Sequence, residues 1–251
     1  MDWTDQGIVL TRRHHGEAAA IVTLLTREHG RHAGLVRGGG GKRAAALYQP
    51  GNLLSARWRG RLPEHLGMLT CELAQSFAAR ALDDAVRLGG VAAACAVLEA
   101  TLPEREPHST LFDATLALLG AIDSAPDSAA WGAEYVRWEC RCLGELGFGL
   151  DLESCAVTGE RNDLAFVSPR TGRAVSVTAG TPYADRLFAL PAFLQREAVP
   201  APGDIAEGLR LTGHFLERHV LSPHGRRMPA ARTRFVERWR RSATISGNPR
   251  S

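Results

Sequence analysis

A strict alternation over Leu53–Arg59 constrains this chain more than any other feature. Leu54, Ala56 and Trp58 fall on one face of an extended segment, and Ser55, Arg57 and Arg59 on the other. A period of two places the apolar set in a core and the cations on an open face. Upstream, Arg31 to Arg37 reads as another strand, and four consecutive glycines (Gly38 to Gly41) separate it from Lys42 and Arg43. Glycines beside cations let backbone and charge approach a polyanion closely, because no Cβ intervenes. The expectation is a phosphate-tracking surface; a flexible hairpin tip with ordinarily solvated arginines is the alternative. A nucleotide-binding P-loop is excluded, since Val36 and Arg43 stand where that pattern needs Gly and Ser or Thr.

The neighbouring sequence extends the β pattern. Gly7 to Thr11 and Ala18 to Thr26 read as a hairpin around His15-Gly16, and Leu66 to Leu73 as a fifth strand with Leu69, Cys71 and Leu73 inward. Five short strands and one long basic loop within residues 5–76 fit a small closed barrel of the OB type. Such barrels bind oligonucleotides with cationic grooves and aromatic platforms. Trp58 belongs to the core by its alternation, which leaves Tyr48 as the stacking candidate.

Beyond Phe77 the period becomes helical. Leu82, Val86, Val91, Cys95 and Leu98 mark one helix, with Gly89-Gly90 as a potential break, and Asp83-Asp84 reads as its solvated start. Ser109 is placed to cap a second, with the stripe Leu111, Thr115, Leu118, Leu119 and Ile122. A third spans Ser128 to Leu146, its aromatic stripe of Trp131, Tyr135, Trp138 and Cys142 reading as core rather than as a groove for a partner peptide. Residues 147–182 break the pattern and outline a small β-ribbon around Leu164 to Val167. Asp204 is placed to cap a helix carrying Ile205, Leu209, Thr212, Phe215 and Leu216. A last helix from Pro229 sets Phe235, Val236 and Trp239 against Arg232, Arg234, Arg238, Arg240 and Arg241. Those cations serve as helix-end stabilisers, a solvated face or a second polyanion contact. The fold class is therefore α+β: an OB barrel over residues 1–80, a helical domain over 81–241 with the ribbon inserted at 150–182, and a disordered tail over 242–251.

Charge supports separate surfaces. The net charge of +3 divides into +5 over residues 1–81, −10 over 82–166 and +8 over 167–251. The five cysteines, an odd number mostly inside apolar segments, suit free thiols in a reducing cytoplasm. No apolar run approaches a membrane span, and the acidic start MDWTDQG argues against export. No HExxH, no G-x-S-x-G and no cluster of His, Cys and carboxylate occurs, and His14-His15 reads as an exposed tip. The expectation is a protein that is not an enzyme, without cofactor or metal.

These residues carry a family resemblance. Asp5-Gln6-Gly7-Ile8-Val9-Leu10, Gly16-Glu17, Leu24-Leu25-Thr26, Gly30, Arg37-Gly38 and Gln49-Pro50 occur in order in the basic β-domain. Later come Glu145-Leu146-Gly147-Phe148, Cys155-Ala156-Val157-Thr158-Gly159, Val167-Ser168-Pro169 and Gly172-Arg173-Ala174. Over nearly its whole length, to about Trp239, the chain resembles the RecO family of bacterial DNA repair and recombination proteins. The resemblance implies an N-terminal OB-fold and an α-helical domain. It also implies binding of single- and double-stranded DNA, strand annealing, and a mediator role with RecR and RecF. In that role RecA is loaded onto DNA coated by single-strand-binding protein, whose C-terminal tail is a further partner, in the nucleoid-associated cytoplasm. Some relatives carry four zinc cysteines in the ribbon; the matching positions here are Cys155, Thr158, Ser176 and Ala179, so a metal-free ribbon packed on Leu164, Phe166 and Val167 is expected. The DNA-binding set is then Arg12, Arg13, Arg31, Arg37, Lys42, Arg43, Tyr48, Arg57, Arg59 and Arg61. A protein-interaction scaffold whose barrel binds no DNA is the alternative.

Overall fold

The computed structural model describes residues 1–62, 65–77, 81, 83–201 and 203–246. Two compact units emerge, one of residues 1–124 with 229–232, the other of residues 125–228 with 233 onward.

In the first unit, β1 (Asp2–His15), β2 (Ala19–Thr26), β3 (Gly30–Val36), β4 (Leu53–Arg59) and β5 (Met68–Gln75) close a barrel in the order β1-β2-β3-β5-β4. The long β1 pairs with β4 through its first half and with β2 through its second, and a register shift between Val9 and Thr11 bends it between the two. The closing contact is a short parallel one, Leu35 opposite Met68. Val9, Val22, Leu24, Leu54, Ala56, Trp58 and Leu69 fill the interior. Trp58 is buried as its alternation required and donates its indole N–H to the Leu66 carbonyl at 3.0 Å. Leu73 departs from expectation: it is 51% exposed, because β5 runs on to Gln75 as an edge beyond the barrel interior.

A short helix, α1 (Lys42–Leu47), follows the glycine loop where the sequence showed only a loop. Ala44 and Leu47 pack on the barrel core. The buried Asn52 side chain donates to the Ala46 and Leu47 carbonyls at 2.9 and 3.0 Å, satisfying the end of this helix. Then come α2 (Ala85–Thr101) and α3 (Ser109–Ser124). Asp84 caps α2 by accepting from the Val86 and Arg87 N–H groups, and the helix passes through Gly89-Gly90 unbroken. Leu82, its expected first apolar position, lies outside the described residues. Helix α2 packs on β1, with the Cys95 thiol donating to the Val9 carbonyl at 3.4 Å.

In the second unit, α4 (Ser128–Glu145) buries the stripe Trp131, Tyr135, Trp138 and Cys142. Phe235 and Trp239 of α6 (Ala230–Ser246) pack against Trp131, with ring centroids 5.9 and 4.9 Å away. Helix α5 (Asp204–Phe215) begins at Gly203, whose φ of +96° makes it the cap; Asp204 instead accepts from the Ala201 N–H at 2.8 Å. The ribbon comprises β6 (Leu164–Val167), β7 (Ala174–Ser176) and a two-residue β8 (Phe188–Ala189) that the sequence did not reveal, in the order β7-β6-β8. Helix α6 continues to Ser246, past Ser242, where a disordered tail was expected to begin; residues 247–251 lie outside the described set. Arg232, expected on the cationic face of this helix, is buried.

Candidate nucleic-acid interface

The cations expected to form one DNA-binding set divide into groups with different surroundings. At the β1–β2 hairpin end, the loop 37–41 folds back on the hairpin: the Gly40 N–H donates to the Ala18 carbonyl at 3.3 Å. Arg12 donates from Nε and Nη2 to the Gly39 carbonyl at 2.9 and 2.6 Å, which fixes the loop while leaving the guanidinium charge unneutralised. At Gly39 an added Cβ would meet Ala20 at 2.7 Å, so the close approach of loop and strand requires glycine. Arg37 projects from this loop and Lys42 and Arg43 from the first turn of α1, all exposed and with no ion pair among the described residues. Arg61, just after β4, is likewise exposed and unpaired among them.

The remaining cations are tied. Arg13 pairs with Glu99 of α2 at 3.4 Å. Arg31 is a structural staple and not an open phosphate contact: its side chain is 12% exposed, donates to the Leu102 carbonyl at 2.9 Å and faces Glu104 at 3.5 Å. Alternation correctly turned Arg31 away from the barrel interior, but the outside at that point is covered by the end of α2. Acidic residues of the helical segment thus neutralise barrel cations directly, as Asp113 also does for Arg27 at 2.5 and 2.8 Å.

Arg57 and Arg59 lie at the opposite end of β1 from the glycine loop. Both hold Asp2: Arg57 through Nε and Nη2 at 3.0 and 2.5 Å, Arg59 through Nε at 3.0 Å. The two guanidinium groups, Arg57 first, hold the Asp2 carboxyl well below the usual carboxylate range, and Asp2 in turn raises Arg57. Asp2 escaped the sequence reading because the first strand was expected to start at Gly7; the observed strand starts at Asp2, and its register sets Asp2 opposite Arg59. From Asp2 to Arg12 the strand covers roughly 33 Å of contour, so the two basic groups are held at opposite ends of β1.

Tyr48 corrects another expectation. It is 4% exposed and part of the barrel core, so it cannot stack on a base. On the barrel, accessible aromatic surface lies instead at the half-buried Trp3 and His29, whose rings stack 4.2 Å apart at an interplanar angle of 10°. His29 was missed because a single imidazole in a turn has no periodic signal.

Behind this pair His32 stands edge-on to Trp3 and Trp58, with centroids 5.0 and 4.9 Å away. Burial, and then the nearby Arg105 charge, push its pKa down to about 4 from 6.5. The unfolded chain therefore binds a proton below pH 6.5 that the folded chain refuses. This stabilisation is complete above pH 6.5 and is lost as the pH falls toward 4, by roughly 2 to 3 kcal/mol at pH 4.5. His32→Phe should abolish that part of the pH dependence, read as urea midpoints at pH 7 and 4.5. An unchanged loss in the variant would refute the assignment.

In the ribbon, the structure gathers three of the four positions matched to zinc cysteines. Cys155 is buried, its Sγ accepts from the Ser176 N–H at 3.3 Å, and Thr158 lies in the same turn. Burial alone would raise the thiol, but hydrogen bonds from Ser176 and Thr158 outweigh it and bring the pKa down to about 6. Among the described residues no group of His, Cys, Asp and Glu could hold a metal ion. Among them, too, no helix is long and apolar enough to cross a membrane.

A closed barrel with this strand order, carrying a basic glycine loop and followed by helices, defines an OB-fold protein with an α-helical C-terminal part. The family models for "Recombination protein O N terminal" and "Recombination protein O C terminal" match residues 1–77 and 82–228. The chain is 53% identical over 249 residues to the DNA repair protein RecO of Rhodospirillum centenum, covering 98% of each. It is 55% identical over 245 residues to that of Rhodospirillum rubrum, covering 96% of this chain and 97% of the relative. It is 51% identical over 239 residues to that of Cereibacter sphaeroides strain KD131, covering 94% and 98%. The chain belongs to the RecO family, and its general role is in DNA repair.

Proposed function

We propose that this protein is a strand-annealing recombination mediator that binds single- and double-stranded DNA without sequence preference. With RecR and RecF, it helps load RecA onto single strands coated by single-strand-binding protein. The observation that carries the reading is the glycine loop pinned by Arg12, which with the first turn of α1 presents Arg37, Lys42 and Arg43 without carboxylate partners among the described residues.

Annealing requires two polyanions to come together, and their mutual repulsion is the barrier. Cations on one surface lower it by replacing condensed counterions, and base pairing supplies the favourable energy. No bond is made or broken. The acids of α2 and α3 neutralise neighbouring barrel cations and confine phosphate to the open loop.

The test is annealing of complementary labelled oligonucleotides by the full chain, with and without single-strand-binding protein, across a salt titration. Acceleration that fades steeply with salt, and persists on coated strands, is the expected result. Absence of DNA binding even at low salt would leave the protein-scaffold alternative.

A further inference from the structure

The barrel carries a second concave site at the end of β1 remote from the glycine loop. It is a cavity of about 430 Å³ lined by Asp2, Trp3, Glu28, His29, His32 and Arg105, with Trp58 behind them. Its size is that of a small-ligand pocket. Two features of its lining point to one kind of occupant.

The first is planar aromatic surface. Trp3 and His29 are partly exposed and nearly parallel, and Trp58 lies nearly parallel to Trp3 at 5.8 Å. The second is unmet hydrogen-bonding capacity. His32 is 6% exposed and lines the cavity, yet neither ring nitrogen has a hydrogen-bond partner among the described residues. A neutral imidazole offers one donor and one acceptor, and leaving them unmade in a buried place is costly. At the rim, Asp2 is held by Arg57 and Arg59 through three hydrogen bonds, but these two arginines project from the face of the sheet opposite Trp58 and lie outside the cavity. Arg105, also at the rim, holds a φ of +62°, unusual for a residue with a side chain, and its N–H donates to the Arg31 carbonyl at 2.9 Å.

A flat heteroaromatic ring with a donor and an acceptor on its edge matches both. We propose that this cavity binds one unpaired nucleotide of a DNA single strand. The base lies against the outer face of the Trp3–His29 stack with its edge toward His32. The inference deepens the DNA-binding reading above and rests on it. It gives the barrel two separate contacts with a strand: a sequence-tolerant phosphate grip at the glycine loop and a base-holding subsite at the far end of β1. A paired base, locked in its stack, is excluded from such a pocket, so the subsite distinguishes single strands from duplex.

The experiment uses the full chain and fluorescence anisotropy at one fixed salt concentration. A single-stranded oligonucleotide is compared with a strand of equal length and charge whose bases are removed. The intact strand should bind roughly tenfold more tightly, as expected for a base stacked on an aromatic side chain, and Trp3→Leu should bring that ratio close to one. A Trp3→Leu protein that discriminates as well as the parent overturns the proposal. Should that variant not fold, strands carrying 5-iododeoxyuridine are photocrosslinked to the unaltered protein. Adducts on Trp3, His29 or His32 support the subsite, and adducts confined to residues 37–43 overturn it. Failure to bind either strand at low salt removes the DNA-binding reading itself. Equal binding of both removes only the pocket.

Discussion

Replacing Arg37, Lys42 and Arg43 together by alanine lowers the affinity for single-stranded DNA about a hundredfold at 0.1 M salt. Each phosphate contact on a single strand contributes about 0.7 to the slope of log affinity against log salt, so one contact is worth about fivefold at that concentration. Three contacts multiply to about a hundredfold, and the slope flattens by about two. Anisotropy titrations at four or five salt concentrations measure both quantities. Parent-like affinity and slope in the triple variant would place the phosphate grip elsewhere and remove the main support for the annealing reading. Arg31→Ala is the informative contrast. Its guanidinium is engaged by Leu102 and Glu104, so the salt slope stays near the parent value while the barrel loses its staple to the end of α2.

Gly30→Ala destabilises the first unit by about 4 kcal/mol, from two causes that act together. Gly30 has a φ of +65°, where an L side chain costs roughly 1–2 kcal/mol. A Cβ there would also lie 2.0 Å from the Glu106 carbonyl oxygen, a backbone atom that cannot rotate aside, and overpacking of this kind adds roughly 1–3 kcal/mol. Gly16 is the control. It has almost the same φ, +62°, but nothing lies within 4 Å of its Cβ position, so Gly16→Ala costs only the backbone part. Urea midpoints of the two variants should differ clearly. Equal midpoints would mean that the segment around Glu106 yields to the methyl group.

These two glycines show where sequence reading stops. Both sit at turns between expected strands, and nothing nearby in the chain separates them. The difference lies in Glu106, which is remote in sequence and close in space. The same limit explains the site residues. The exposure of Arg37, Lys42 and Arg43 was legible because a run of glycines next to cations is a local signal of an open loop. Tyr48 was misjudged because no alternation surrounds it, and its burial depends on an unforeseen six-residue helix that packs on the barrel. Arg31 was placed on the outward face, as it is, but strand periodicity says nothing about what covers that face. Asp2, which holds two of the expected DNA contacts, was invisible because its role follows from cross-strand register.

Residues 53–59 and 128–145 illustrate the opposite case. The alternation of the first and the aromatic stripe of the second assigned β4 and α4 nearly to the residue. Buried and exposed positions followed, because one-sided burial imposes a period of 2 or 3.6 on any segment that forms such an element. The order of elements and the barrel class were open to the sequence for that reason. Which cations remain free, which aromatic rings meet and which glycine tolerates no methyl group were decided only by tertiary contacts. Those properties depend on pairs of residues tens of positions apart, such as Asp2 with Arg59 and Gly30 with Glu106, and no local period encodes them.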